Sequence, residues 1–307
     1  MKNSHKLVIV AALVVFLTAS APLTGSASED SAELWVMQTE LTLTNTSEDS
    51  AVESTIVRMP LVAGDTLYGR IVREDFPVEA EEITQTDHQA RMGVFEIDGL
   101  EPGESTTLIW EYHILPAAGE EHSSTPGSAA VDSVTDSEIA IQARILTAGL
   151  RDDGKRFEAL QKFTHNHIEY EENSKWRNGD ALQAFRNEEG VCEDYAALLV
   201  ALADAAGIPS RMVYGYRRSP GSDNWVRHAW VEYRPQDGKW RSADPTFHSS
   251  PGLNQSASYM AQWYEDHPFR VGHEGGTLSG SLQESITAVQ ISDDEQQSLM
   301  RSIKPTE

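Results

Sequence analysis

The chain has 307 residues, which is long enough for two domains with sizeable cores. Its 48 acidic and 24 basic side chains give a net charge of −24, so nucleic acid is excluded as an expected partner because the phosphate backbone would be repelled. A single cysteine excludes an intrachain disulfide. The fold must therefore depend on its core, and the thiol is either buried and inert or reactive.

Residues 1–27 predict a secretory signal peptide. Lys2 and Lys6 precede an apolar run from Leu7 to Leu17, and Gly25-Ser26-Ala27 offers a cleavage site. That run of 11 residues is too short to cross a bilayer, and no second long apolar run follows. Cleavage would remove two lysines and no acid, taking the net charge from −24 to −26. We expect an exported protein, periplasmic or extracellular, without a membrane span in the mature chain; an uncleaved N-terminal anchor is the alternative.

Residues 28–115 predict an all-β sandwich domain of roughly seven strands. The clearest strand, Thr107 to Ile114, alternates apolar and mostly polar side chains after a turn at Glu101-Pro102-Gly103-Glu104. His88 and His113 are interpreted as surface or edge residues, because no second ligand accompanies them at metal spacing. We expect this domain to position or present its neighbour.

A polar linker, residues 116–136, leads to a second domain over residues 137–292 and a polar tail over residues 293–307. Helical spacing runs from Asp152 to Ile168, and Asp180 is the expected N-cap of a further helix, residues 181–186. His165 and His167 point to different faces of the first helix, so they are not expected to share a metal. Nearer the C-terminus, residues 258–265 predict a short helix and residues 285–291 a strand.

The central helix is predicted from about Cys192 to Ala206, with Gly207 in the left-handed conformation that ends it. Cys192 then lies in the first turn, where the helix dipole favours a thiolate. Glu193 and Asp194 oppose this effect, because nearby carboxylates raise the pKa of a thiol. Activation must therefore come mainly from a basic partner, and histidine is the usual one.

Two downstream residues are candidate partners of this thiol. His228 lies on a predicted strand, residues 224–234, and Asp244 lies on the next, residues 239–245. Nucleophilic acyl transfer needs a thiol, an imidazole that holds its proton, and a carboxylate that orients the imidazole. Each also has an ordinary interpretation: a small core residue, a strand residue and a turn residue. The residues alone leave both interpretations open.

The turn between these strands decides whether the histidine and the aspartate can meet. A two-residue loop at Asp237-Gly238 would pair position 228 with 247 and place the two side chains on opposite faces of the sheet. We therefore predict a three-residue connection with Gly238 left-handed in a bulge, which pairs 228 with 246 and puts His228 and Asp244 on one face.

Five motifs in order resemble the core of the transglutaminase-like superfamily, with papain-like Cys-His-Asp chemistry, over residues 152–247. The resemblance implies an α+β fold in which a central helix packs on an antiparallel sheet, preceded here by the all-β sandwich. It also implies Cys192 as nucleophile, His228 as base and Asp244 as orienting acid. The motifs are Gly190-Val191-Cys192-Glu193-Asp194-Tyr195-Ala196, Ala206-Gly207-Ile208-Pro209-Ser210-Arg211, Gly215-Tyr216, His228-Ala229-Trp230 and Asp244-Pro245-Thr246.

These features predict an exported thiol enzyme that attacks an amide or peptide bond of a protein or peptide substrate through a thioester. Hydrolysis by a peptidase or amidase is favoured, since exclusion of water needs a special acceptor site. The alternatives are a cross-linking protein-glutamine acyltransferase and a catalytically silent binding module. The backbone N–H of Cys192 is the expected oxyanion donor, and Trp176 and Tyr170 are candidates for a second. No cofactor or metal is predicted, and the oligomeric state is left open.

Overall fold

A computed structural model describes residues 31–85, 90–117, 138–177, 180–247, 258–264 and 269–302. The predicted signal peptide, nearly all of the predicted linker and His88 lie outside the described residues. The strands are β1 Ser31–Asn45, β2 Val52–Leu61, β3 Gly69–Asp75, β4 Glu82–Gln85, β5 Arg91–Leu100, β6 Ser105–Pro116, β7 Glu169–Tyr170, β8 Glu189–Gly190, β9 Ser210–Arg218, β10 Trp225–Tyr233, β11 Arg241–Ala243, β12 Tyr259–Trp263, β13 Arg270–Gly275 and β14 Leu278–Ser292. The helices are α1 Glu138–Thr147, α2 Asp153–His167, α3 Ala181–Asn187, α4 Cys192–Ala205 and α5 Asp293–Ser302.

The sandwich consists of two four-stranded antiparallel sheets, ordered β14-β1-β6-β3 and β13-β2-β5-β4. Alternate residues of β6 enter its core, as the sequence pattern predicts: Leu108, Trp110, Tyr112 and Ile114 are all buried. The turn before β6 also forms as predicted, with Gly103 at a φ of +78°. Side chains from both sheets form one core cluster, and the burial of these large apolar surfaces is the main force that holds the layers together.

The predicted boundary at residue 292 between the second domain and the tail is wrong. The strand expected over residues 285–291 exists within β14, but β14 pairs along its whole length with β1, from Ser31 opposite Ser292 to Asn45 opposite Leu278. β13 likewise pairs with β2. Within the described ranges the sandwich therefore has eight strands, and the second domain is inserted between β6 and β13.

The helix predicted near the C-terminus is wrong, and the predicted tail, though mostly exposed as expected, begins as a helix. The short helix expected over residues 258–265 is the strand β12, in which four consecutive residues, 259–262, are buried. Burial on both faces erases the alternation that would have indicated a strand. The expected solvated tail from Asp293 begins as helix α5, because Ser292 and Glu295 cap its start: the Ser292 N–H donates to Glu295 Oε2 at 2.8 Å.

In the second domain, helices α1 to α4 accompany an antiparallel sheet ordered β11-β10-β9-β12. Helix α4 buries Leu198, Leu199 and Leu202 completely in a core shared with β10, and Gly207 ends it at a φ of +74°, as predicted. Asp180 caps α3 by accepting from the backbone N–H of Leu182 at 2.8 Å. Helix α1 has no counterpart among the sequence predictions. Within the described ranges, no helix is long and apolar enough to cross a membrane.

The two domains share a third hydrophobic cluster, which includes residues of β9, β10 and β12. Tyr68, on the connection between β2 and β3, packs against Trp230 of β10 and Tyr259 of β12, which also contact each other. The Trp230 indole donates to the Tyr68 hydroxyl at 2.5 Å, and that hydroxyl also lies 2.5 Å from Ser242 Oγ. The sandwich thus contacts strands that carry the candidate site.

Candidate active site

Cys192 is the first residue of α4 and is half-buried. Asp194, two residues later, is fully buried, and its Oδ2 accepts from the backbone N–H of Val191 at 2.8 Å. Gly190 makes this possible, because a Cβ there would lie 2.6 Å from the same oxygen. The carboxylate that seemed to oppose thiolate formation therefore satisfies an N-terminal donor of the helix that presents the thiol.

The register of β10 and β11 is the predicted one. Val231 lies opposite Ala243 and Tyr233 opposite Arg241, a register that places position 228 across from 246. Gly238 is left-handed at a φ of +78°, also as predicted. The connection is longer than three residues, since it spans residues 234–240 and contains a turn in which the Gly238 N–H donates to the Pro235 carbonyl at 2.9 Å.

His228 and Asp244 meet as a buried pair. His228 Nε2 lies 2.7 Å from Asp244 Oδ2, and the two side chains are 6% and 0% exposed. His228 also forms a hydrogen bond with the Cys192 side chain. Burial by itself would lower the pKa of His228, but the hydrogen bonds and charges of Asp244 and Cys192 outweigh burial and raise this pKa to about 9. The imidazole therefore holds a proton at neutral pH.

Three further hydrogen bonds, besides the one with His228, hold Asp244 in place. The Tyr259 hydroxyl donates to Asp244 Oδ2 at 2.8 Å, and the backbone N–H of Thr246 donates to Oδ1 at 3.0 Å. The Gln161 amide donates to the Asp244 backbone carbonyl at 3.2 Å. Neither Tyr259 nor Gln161 is singled out by the sequence. Tyr259 lies in the segment predicted as a helix, so no pattern indicated that it would cross the sheet to this aspartate.

Aromatic side chains surround the imidazole. Trp230, two residues along the same strand, is fully buried with its ring centroid 6.1 Å from that of His228. Phe247, half exposed, lies 5.6 Å from His228 on another side. Of the two upstream aromatic candidates, Tyr170 interacts with Cys192: burial and the cysteine charge raise the pKa of the phenol. Trp176 is instead covered by Lys175, whose Nζ is 4.8 Å from the ring centroid.

The two histidines of α2, His165 and His167, have structural contacts. His165 Nδ1 lies 3.1 Å from the Thr246 carbonyl, next to the segment that carries Asp244, and His167 Nε2 lies 2.7 Å from the Phe185 carbonyl. Neither contact involves the other histidine.

His113, on the outer face of the sandwich, is less isolated than predicted. Its possible ligand atom lies within 4.8 Å of those of Asp75 and Glu111, a spacing that could hold a metal ion. Gln38 donates to Glu111 Oε2 at 2.6 Å, and Arg73 forms an ion pair with Asp75 at 2.6 Å, so each carboxylate already has a partner in the protein. The sequence spacing missed this group because Asp75 comes from a different strand.

Residues 140–245 match the family model of the transglutaminase-like superfamily. The chain carries a transglutaminase-like core. This match contains Cys192, His228 and Asp244, the three residues that the structure brings together, and it confirms the resemblance seen in the sequence.

Relatives of known sequence or structure give the transglutaminase-like core a wider context. A curated Pseudomonas aeruginosa protein, "Protein-glutamine gamma-glutamyltransferase", is 27% identical over 213 residues, which are 63% of this chain and 32% of that protein. This chain therefore matches about a third of the relative's length. The crystal structure of a "Putative Cysteine Protease" from Cytophaga hutchinsonii is 17% identical with a TM-score of 0.55, over 85% of this chain and 91% of that one. The periplasmic domain of TgpA from Pseudomonas aeruginosa is 21% identical with a TM-score of 0.37, over 75% and 93%.

Proposed function

We propose that this protein is a cysteine-dependent enzyme that acts on amide or peptide bonds of protein or peptide substrates through a Cys192–His228–Asp244 triad. The observation that carries the proposal is the contact of His228 with both Cys192 and Asp244, with the aspartate completely buried. A structural core histidine needs only one partner. An imidazole held between a half-buried thiol and a buried carboxylate has the arrangement that nucleophilic catalysis requires.

In the proposed first step, His228 holds the thiol proton and Cys192 Sγ attacks the carbonyl carbon of the amide. The C–S bond forms, the C–N bond breaks, and His228 transfers its proton to the departing amine. Asp244 keeps the imidazole oriented and stabilises its positive charge. We propose the backbone N–H of Cys192, in the first turn of α4, as the oxyanion donor. Of the two candidates for a second donor we favour Tyr170, because its phenol interacts with Cys192.

In the proposed second step, water attacks the thioester, His228 takes the water proton, and the acid product leaves as the thiolate returns. We favour water as acceptor, as in a peptidase or amidase. Transfer to an amine is the second candidate, and the name of the Pseudomonas aeruginosa relative, a glutamine gamma-glutamyltransferase, supports it. The two candidates share every residue of the triad and differ only in the acceptor.

A substrate comparison tests this proposal. A proteome extract is treated with wild type, with Cys192→Ala or with buffer, in the presence of a labelled primary amine, and products are identified by mass spectrometry. New peptide ends or deamidated glutamines that need Cys192 indicate hydrolysis, whereas incorporated label indicates transfer. Identical products from wild type and Cys192→Ala would overturn the proposal and favour a silent binding module.

The site of action is part of the same proposal. We infer export on the strength of the predicted signal peptide in residues 1–27. N-terminal sequencing of the protein from fractionated cells tests this, with a new terminus at or near Ser28 as the expected result. A cytoplasmic protein that keeps Met1 or Lys2 would contradict it.

A further inference from the structure

Arg217 is a cation without a carboxylate beside the candidate active site. Strands β9 and β10 contain four arginines, and three of them form ion pairs: Arg211 with Glu232 at 2.6 Å, Arg218 with Glu33 at 2.7 Å, and Arg227 with Glu284. Among the described residues, Arg217 pairs with no acid. Acidic side chains outnumber basic ones by 48 to 24 in this chain, so the lack of a partner is not explained by a shortage of carboxylates.

The contacts of Arg217 lead directly to the triad. Its guanidinium carbon lies 4.2 Å from the centroid of the Phe247 ring, and that ring lies 5.6 Å from the imidazole of His228. Arg217 also forms a hydrogen bond with Tyr259, the residue that donates to Asp244. The side chain is thus held in place by an aromatic face and a phenol, and no acid in the described part of the chain forms an ion pair with it.

The distances match the reach of a short peptide. Two successive separations of 4.2 and 5.6 Å place the guanidinium at most about 10 Å from the imidazole. An extended chain advances roughly 3.3–3.6 Å per residue, so this span corresponds to about three residues. A substrate whose acyl group lies at Cys192 can therefore bring a side chain from within about three positions to Arg217.

We propose that Arg217 forms an anionic subsite that selects substrates with a carboxylate within about three residues of the amide that reacts. This inference rests on the proposed function and specifies its substrate class. Guanidinium binds carboxylate with two parallel hydrogen bonds. The half-exposed Phe247 next to it limits access of water to one side, which strengthens such a contact.

The single cysteine permits a test that does not depend on turnover. Cys192 is alkylated with iodoacetyl tripeptide amides that carry Glu or Gln at the first, second or third position, and with a Gln peptide that has a free C-terminal carboxylate. Rates are measured for wild type, for Arg217→Gln and for Arg227→Gln. The last variant removes the same charge from a neighbouring position whose guanidinium already has a carboxylate partner, and it serves as the matched control.

We expect wild type to react with the best Glu peptide about 10- to 100-fold faster than with its Gln counterpart, the range for a hydrogen bond to a charged group. Arg217→Gln should bring this ratio close to one, and Arg227→Gln should leave it within about twofold of wild type because its guanidinium is already paired. The free C-terminal peptide shows whether a side chain or a terminal carboxylate is preferred.

A Glu to Gln ratio near one in wild type, or an equal ratio in wild type and Arg217→Gln, would overturn the subsite. Failure of the proposed function has a different signature: Gln peptides would alkylate wild type and His228→Ala at the same rate, so the thiol would not depend on its imidazole. A thiol that no peptide alkylates would overturn both.

Discussion

Two buried ion pairs lie on the same sheet and differ in what they face. His228 and Asp244 join β10 to the end of β11, while Arg211 and Glu232 join β9 to β10. The first pair contacts the thiol of Cys192. The second is enclosed: the Arg211 guanidinium carbon lies 4.3 Å from the Trp240 ring centroid and 3.8 Å from that of Tyr264.

Each pair also receives a tyrosine from the same stretch of chain. Tyr259 donates to Asp244 at 2.8 Å, and Tyr264 donates to Glu232 at 3.3 Å. Burial, charge and a phenol donor are thus common to both pairs. We infer that burial of a charge does not identify a functional site by itself, and that the contact with a nucleophile makes the difference. We call His228–Asp244 the open pair, because it contacts the thiol, and Arg211–Glu232 the closed pair, because aromatic rings enclose it. The open pair should govern chemistry, and the closed pair should govern stability.

The largest expected effect is on the open pair. Asp244→Asn should lower Cys192-dependent activity on the order of 10²- to 10⁴-fold, because the imidazolium loses its charge partner and its orientation. Turnover is measured on a substrate from the proteome comparison, and the thermal unfolding midpoint is measured beside it. Full activity in a folded Asp244→Asn protein would contradict a role for this carboxylate in catalysis.

The closed pair should respond in stability. Glu232→Gln leaves the buried guanidinium of Arg211 without its counter-ion, which should reduce the free energy of unfolding by about 3–5 kcal/mol. Denaturant unfolding checks the magnitude. Activity per folded molecule should stay near that of wild type at a temperature where the variant is folded. A stable variant with lost activity would reverse the assignment of the two pairs.

Stability should depend on pH through the open pair. The pKa of His228 is raised from 6.5 to about 9 in the folded protein, so its protonated form stabilises the fold. This contribution is fully present below about pH 6.5 and is lost as the pH rises through about 9, an effect on the order of 3 kcal/mol. Unfolding of wild type and His228→Gln from pH 6 to pH 10 measures it as a difference. A difference that does not change across this range would disprove the raised pKa.

The smallest effects should come from the two tyrosines. Tyr259→Phe and Tyr264→Phe each remove one hydrogen bond to a buried carboxylate, worth about 1–2 kcal/mol. We expect Tyr259→Phe to reduce activity about tenfold or less, and Tyr264→Phe to reduce stability with unchanged activity. Activity assays and denaturant unfolding of both variants measure the two expected losses. Identical behaviour of the two variants would remove the distinction between the pairs.

The sequence predicts the hairpin of β10 and β11 well, because residues close to each other in the chain determine its register. Gly238 marks a left-handed turn position, and the requirement that His228 and Asp244 share a face selects one register over its neighbour. The spacing of the apolar residues predicts helix α4 equally well, and Gly207 predicts its end. These features depend on residues that are close in sequence.

What the sequence does not predict depends on distant partners. Tyr259 reaches Asp244 only because β12 pairs with β9 across more than 40 intervening positions. The sandwich contact of Tyr68 with Trp230 joins residues 162 positions apart. The assignment of β14 to the sandwich depends on β1, at the other end of the described chain. No local pattern carries such information, so the supporting residues of the site became visible only in the structure.

The pairing of β1 with β14 has a consequence for how the molecule is assembled. The strand that comes first in the described chain is completed by the last, so loop closure is costly and folding is expected to be slow. Glu284 of β14 also accepts from the Tyr216 hydroxyl and the Gln262 amide, both at 2.5 Å. It thereby joins β14 to strands β9 and β12 of the second domain. A chain that emerges N-terminus first carries all three triad residues before this strand arrives. The strands β9 and β12 gain these contacts only when synthesis has passed β14.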